Sequence, residues 1–173
     1  MKLNANRPAK NHLVPYSVWT WQYVLASWCG SGRLRPAPGT WGTLAALPLW
    51  ITLIFYFNIY VYIIVLLILL YAGAVAIEHI EQAAGKDTYH DAGLFVVDEV
   101  VGMGITLLPL FFLPLTALNV LLAFVLFRVF DVVKLWPANR IDQRWHNGWG
   151  VMLDDCVAGV YGALGLLGCA FLY

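Results

Sequence analysis

Every formally charged side chain of this protein lies in one of three blocks, Met1–Arg35, Glu78–Glu99 and Arg128–Asp155. Pro36–Ile77, Val100–Phe127 and the tail Cys156–Tyr173 contain no Lys, Arg, Asp or Glu. A charge at the centre of a bilayer costs about 2.5–3.5 kcal/mol on insertion scales, so an apolar solvent tolerates the charge-free stretches and rejects the blocks. With 61% hydrophobic residues, apolar runs of this length read as membrane segments. The layout predicts an all-α, polytopic helical membrane protein whose chemistry sits in its polar blocks.

At 173 residues the chain reads as one domain, 1–173, with no room for a separate soluble catalytic unit. An active site must then be built from the helix ends. The formal net charge is zero and no Lys/Arg run stands out, which gives a nucleic-acid partner no support. Three cysteines without paired spacing predict no disulfide; Cys156 and Cys169 fall in an apolar helix, where a thiol behaves as a small hydrophobe. The first eighteen residues, which include the polar tail 1–16, lack the apolar core of a cleaved signal peptide, so insertion is expected to use the internal spans.

Ser17–Trp28 is too short and too polar to cross, and its Trp and Tyr residues favour the headgroup level, so an interfacial helix is expected over 17–28. Cys29–Gly42 is a Gly/Pro loop ending at a helix start. A single helix from Trp41 to Ile77 would be about 55 Å long, far beyond a hydrocarbon core of about 30 Å. Two helices joined by a tight turn at Phe57–Asn58–Ile59 fit better. In Val100–Phe127, Pro109 and Pro114 interrupt the helical pattern; either one kinked helix crosses, or two short helices dip in and return. The return is preferred because it lets Asp98–Glu99 meet Arg128–Lys134. A last helix is expected from near Gly150. The sum is about five membrane helices, one hairpin of them re-entrant, with the polar blocks on the cytoplasmic side.

Four clusters at helix ends could carry chemistry. Pro38-Gly39-Thr40-Trp41-Gly42-Thr43 places Thr40 as an N-cap, and the free N–H groups of a helix start suit a phosphate; an ordinary capped helix is the competing explanation. Asp98-Glu99 stands where a polar block meets a span, either as functional acids or as a solvated acidic first turn. In Arg128-x-x-Asp131-x-x-Lys134, steps of three put Asp131 between two cations on one face, as a site or as an ion-pair ladder. Gly150-x-x-x-Asp154-Asp155 opens a helix continuing with Gly159, Gly162, Gly165 and Gly168, a stripe suited to close packing in lipid. Asp155 lies one turn before Gly159 on that ridge and should face the bundle interior, where an acid is functional by default.

Five carboxylates converging on one membrane face would repel one another unless a hard cation or bound protons neutralised them. Oxygen-only donors select Mg²⁺ or Mn²⁺, and His79, His90 and His146 show no paired spacing with cysteine. Cys29–Arg35 matches the Cys-x5-Arg spacing of cysteine phosphatases, but without the accompanying acid motif.

At these residues the chain resembles the phosphatidylglycerophosphatase A family, bacterial membrane enzymes of phosphatidylglycerol synthesis. The shared segments are Gly30-Ser31-Gly32 leading to PGTWGT, DEVVGM (Asp98–Met103), FRVFDVVKLWP (Phe127–Pro137) and GVMLDD followed by Ala158-Gly159. Leu135 departs from the family pattern, which has proline directly after the lysine. The resemblance implies a Mg²⁺-dependent hydrolase that removes the terminal phosphate of phosphatidylglycerophosphate at the cytoplasmic face of the bacterial inner membrane. The family's acidic positions fall on Asp98, Glu99, Asp131, Asp154 and Asp155, and its basic ones on Arg128 and Lys134.

The resulting expectation is metal-assisted phosphomonoester hydrolysis. Mg²⁺ is held by some of Glu99, Asp131, Asp154 and Asp155. Gly39, Thr40, Arg128 and Lys134 bind phosphate, and a spare carboxylate such as Asp98 serves as general base. Two rivals are a small cation transporter, which would need polar residues through the midplane, and a lipid headgroup phosphotransferase, whose spaced aspartate signature is missing.

Overall fold

The computed structural model describes residues 20–84, 94–145 and 147–171; the tail 1–16, His90 and His146 lie outside them. Every regular element among the described residues is helical. They are α1 (Trp21–Ala26), a 3-10 turn at Ser31–Arg33, α2 (Pro38–Tyr56), α3 (Ile59–Ala84), α4 (Val97–Leu107) continuing into a 3-10 turn at Leu108–Phe111, α5 (Ala117–Val133), α6 (Ala138–Arg144) and α7 (Gly148–Ala170).

Local chemistry fixes most of the ends. Pro38 occupies the first position of α2 after Ala37, where its missing N–H costs nothing and its fixed φ suits a helix. The helix thus begins before Thr40, which sits in the first turn and is not the N-cap expected from the sequence. The α2–α3 turn falls at Phe57–Asn58 as anticipated, with Asn58 Oδ1 accepting from the N–H groups of Tyr60 and Val61 at 3.1 Å. Helix α3 then runs past Ile77, through Glu78 and Glu81. Of the expected 17–28 helix, only Trp21–Ala26 is helical among the described residues. It buries Tyr23 and Ala26, packs on α3, and leaves Trp21 exposed.

Pro109 and Pro114 end α4 and reverse the chain. Thr116 caps α5 by accepting from Asn119 N at 3.2 Å, and Asn119 Nδ2 donates to Pro114 O at 2.8 Å, closing the turn. The start of α4 therefore returns beside the end of α5, where Arg128 lies 3.8 Å from Glu99. Asn147 caps α7 by accepting from Gly150 N at 2.9 Å.

Helix α4 is the hub. Its 11 residues extend about 16 Å, roughly half a hydrocarbon core, and all but Asp98, Glu99 and Ile105 are buried. It packs against α2, α3, α5 and α7. Trp50 Nε1 donates to Val100 O at 2.8 Å and Tyr62 OH donates to Gly104 O at 2.7 Å. These bonds give two bulky polar-tipped side chains of α2 and α3 a partner in an apolar interior. Against α7 the two backbones come close at Gly102 and Gly159. A Cβ on Gly159 would overlap Gly102 O, and one on Gly102 would overlap the Phe127 ring and Asp155 O. The glycine stripe serves as a packing ridge at Gly159 and Gly162, the latter against Thr106, while Gly168 meets nothing.

The outward faces are apolar. Tyr60, Ile63, Ile64, Leu67, Ile68 and Tyr71 form one exposed stripe of α3 at helical spacing, and Leu118, Leu121, Val125 and Val129 form another on α5. Surfaces of this extent belong in lipid rather than water. Helices α2, α3 and α7 are each long and apolar enough to cross a membrane. Helix α5, at 17 residues, falls just short, and α4 is held inside protein.

Replacing Gly159 with valine pushes a side chain into the α4 backbone, which cannot yield as a flexible side chain would. Overpacking of this kind costs about 1–3 kcal/mol or more. The expected outcome is a clear drop in the thermal unfolding midpoint of detergent-solubilised protein, whereas Gly168→Val leaves it nearly unchanged.

Candidate active site

The first turn of α4, the last turns of α5 and the second turn of α7 meet at one end of the bundle, and each contributes acids. Asp98, Glu99 and Asp155 each offer a carboxylate oxygen, all within 4.8 Å of one another. Asp131 adjoins Asp155. Arg128 Nη1 contacts Asp131 Oδ2 at 2.5 Å and faces Glu99 Oε1 at 3.8 Å. Lys134 Nζ donates to Asp154 Oδ2 at 2.6 Å. All seven charged residues selected from the sequence are thus at one rim.

Their grouping differs from the sequence pattern in two respects. Steps of three placed Lys134 on the Arg128–Asp131 face. Instead α5 ends at Lys134, whose backbone is left-handed with φ 45 and ψ 65, and the side chain pairs with Asp154 on α7. Asp98, assigned by sequence to a spare role, stands in the closest acidic trio, and Asp154 is engaged by a lysine.

Burial is severe for such groups: Asp155 is 4% exposed and Asp154 is 5%. Burial first, then Asp155 and Asp131 nearby, lift the Glu99 carboxyl to about 7, against the opposing pull of Asp98 and Arg128. Burial and the neighbouring Glu99 carboxylate likewise push Asp98 well above the ordinary aspartate range. The two cations do not offset this crowding, because five acids face two bases. Moreover, Glu99 Oε2 and Asp155 Oδ2 are buried without a hydrogen-bond partner. Orphaned carboxylate oxygens converging in a dry site fit a hard divalent cation, which would supply the missing ligand interaction and the missing charge.

The start of α2 forms another wall. A Cβ at Gly39 would overlap Glu99 Oε1 and crowd the Arg128 guanidinium at 3.1–3.2 Å. Glycine is therefore required for α2 to bring its positive end over the acids. Near the helix start, N–H groups such as those of Gly39 and Thr40 have no acceptor within their own helix; this, rather than a Thr40 side-chain cap, is what the PGTWGT segment offers an anion.

The Cys29–Arg35 loop does not have that capacity. Its N–H groups from Cys29 through Leu34 are all spent internally, on acceptors in Val24, Ser27, Trp28, Gly30 and Ser31. The Ser31 hydroxyl donates to Ser27 O at 3.3 Å. What this segment and the end of α1 before it do provide is a brace. Val96 N donates to Ala26 O at 2.8 Å and Gly32 packs on the Leu94 backbone, fixing the entry to α4. Sequence reading missed this brace, along with Trp50 and Tyr62, because in an apolar run an aromatic that orients a neighbouring helix looks like any other lipid-facing one.

Fold and site together define a helical membrane protein with a cluster of carboxylates able to hold a cation, flanked by two bases and a helix start, at one end of its bundle. The family profile of phosphatidylglycerophosphatase A matches residues 24–170, and the chain belongs to that family. It is 37% identical over 157 residues to phosphatidylglycerophosphatase A of Escherichia coli, covering 90% of this chain and 85% of that one. It is 34% identical over 142 residues to the Haemophilus influenzae protein of the same name, covering 82% and 84%. A Bacteroides thetaiotaomicron protein described as a phosphatidylinositol-3-phosphatase is 38% identical over 136 residues, covering 76% and 82%. No solved structure matches.

Two outcomes test the site. In Glu99→Gln, removal of one mutually repelling charge leaves unfolding stability in chelator equal to or above that of the parent. In the parent, Mg²⁺ at a hundredfold excess over its dissociation constant adds about 2.7 kcal/mol; in the variant this gain is lost, as thermal melts with and without Mg²⁺ will show. For Gly39→Ala, the added methyl displaces Glu99 or α2, and an active-site shift of about 1 Å costs on the order of 100-fold in turnover.

Proposed function

We propose that this protein is a Mg²⁺-dependent lipid phosphatase that hydrolyses phosphatidylglycerophosphate to phosphatidylglycerol and phosphate. The observation that carries the reading is the pairing of two orphaned buried carboxylate oxygens, on Glu99 and Asp155, with two basic side chains, Arg128 and Lys134, at the same rim. A phosphomonoester needs both: a cation site for its metal and bases for its remaining charge. Membership of the family supplies the substrate.

In this reading Glu99 and Asp155, through their unpartnered oxygens, would hold the cation, with Asp98 and Asp131 beside them. When bound, Mg²⁺ polarises the phosphoryl oxygens and neutralises the acids. Arg128, Lys134 and the N–H groups of Gly39 and Thr40 bind the phosphoryl oxygens and stabilise the charge that grows in the transition state. A water oxygen forms the new bond to phosphorus as the bond to the glycerol oxygen breaks. Asp98, in our assignment, takes the proton of the water, and that proton is then passed to the glycerol oxygen that leaves. The transporter alternative loses ground because the acids gather at one helix-end layer.

The topology follows from the same layer. Helices α2 and α3 cross as a hairpin, α4 and α5 dip in and return, and α7 crosses last, giving five segments that share one polar end. No Lys or Arg occurs among residues 57–59, 108–116 or 171 at the other end, so the positive-inside tendency puts the site in the cytoplasm, at the bacterial inner membrane. The lipid tails remain in the leaflet while the headgroup enters at the rim.

Purified protein presented with phosphatidylglycerophosphate is expected to release phosphate with Mg²⁺ and to stop with chelator, and Asp155→Asn is expected to lose more than about 100-fold in turnover. Phosphatidylinositol 3-phosphate in a parallel assay decides the substrate: faster turnover of that lipid would replace the present assignment. Single cysteines at Asn58 and Trp145 in a background lacking the native thiols should label from opposite sides of intact cells and inverted vesicles.

A further inference from the structure

Asp154 and Asp155 are adjacent in sequence and equally buried, yet the structure treats them differently. Asp155 Oδ2 and Glu99 Oε2 are without partners. Both oxygens of Asp154 are engaged: Oδ2 accepts from Lys134 Nζ at 2.6 Å and Oδ1 accepts from Asp155 N at 3.1 Å. Asp154 also stands outside the trio whose oxygens lie within 4.8 Å of one another.

Its partner is unusual in another way. Lys134 closes α5 with a left-handed backbone, φ 45, at a position normally filled by glycine or asparagine because a Cβ is disfavoured there. A helical continuation would have left Lys134 one step further along the α5 face. The left-handed turn takes it off that face, and its side chain meets α7. The Lys134 side chain remains 36% exposed while that of Asp154 is 6% exposed. The arrangement is a buried anion presenting a partly open cation.

We infer that Asp154 is a positioning residue that holds Lys134 toward the substrate phosphate and is not a ligand of the divalent cation. This rests on the phosphatase reading for the role of Lys134, but the division of labour between Asp154 and Asp155 can be measured without turnover.

The test uses the full chain in detergent, with Mn²⁺ as a spectroscopic stand-in for Mg²⁺. By electron paramagnetic resonance, D154N is expected to bind Mn²⁺ within about twofold of the parent, whereas D155N loses at least about tenfold. Calorimetric titration of inorganic phosphate into the Mn²⁺-loaded protein should show about tenfold weaker binding for D154N and for K134Q, with D154N/K134Q no weaker than K134Q alone, as for two residues acting through one contact. In turnover, KM rises in D154N with the same non-additivity. A tenfold loss of Mn²⁺ affinity in D154N would make Asp154 a ligand, and multiplying effects on phosphate would make it independent of Lys134; either overturns the inference. Should D154N fail to fold, D154E answers the same question: it is expected to retain both affinities within about threefold, and a selective loss of Mn²⁺ binding would overturn the proposal. If the parent does not turn over phosphatidylglycerophosphate, the phosphatase reading falls while the Mn²⁺ and phosphate titrations still decide the role of Asp154.

Discussion

Carboxylates held together away from water are the constraint around which this structure is organised. Each buried acid is destabilised by desolvation and again by its neighbours, and the trio of Asp98, Glu99 and Asp155 is packed within 4.8 Å. Nothing in the local preferences of these residues would assemble them. They are brought together by the apolar packing of α4, through the Gly102–Gly159 approach and the indole and phenol bonds from Trp50 and Tyr62. The apolar body of the bundle thus stabilises a polar end that is not stable by itself, and a bound cation would complete the balance.

The bilayer makes this division workable. Helix bodies bury or expose only apolar surface, so lipid and core are satisfied by the same residue types, and the orientation of each helix is left to a few polar contacts. The site lies at the rim because only there can charged groups reach water, headgroups and one another. A lipid phosphomonoester presents itself at that same depth, so the fold and the substrate share one physical boundary.

Within the site, charge is sorted by partner. Arg128 is held by Asp131 and faces Glu99; Lys134 is held by Asp154; Glu99 and Asp155 each keep an unpaired oxygen. In the proposed reading, that separation gives anion binding and cation binding to neighbouring residues of one acidic cluster. It arises from the left-handed end of α5, a single backbone choice that redirects a lysine from its own helix to the next.

Much was legible in the sequence. The charge blocks marked the candidate membrane segments and the polar end, Phe57–Asn58 marked the hairpin turn, the two prolines marked the reversal before α5, and the acids and bases that gather at the candidate site were all visible at span boundaries. These depend on the cost of charge in lipid and on backbone chemistry, both of which act residue by residue. The helix start at Pro38, the bracing of α4 by Trp50 and Tyr62, the grouping of Asp98 with Glu99 and Asp155, and the pairing of Lys134 with Asp154 were decided by tertiary structure. Each is a contact between elements distant in the chain, or a local end set by such contacts, and hydropathy and helical spacing report only along one element at a time.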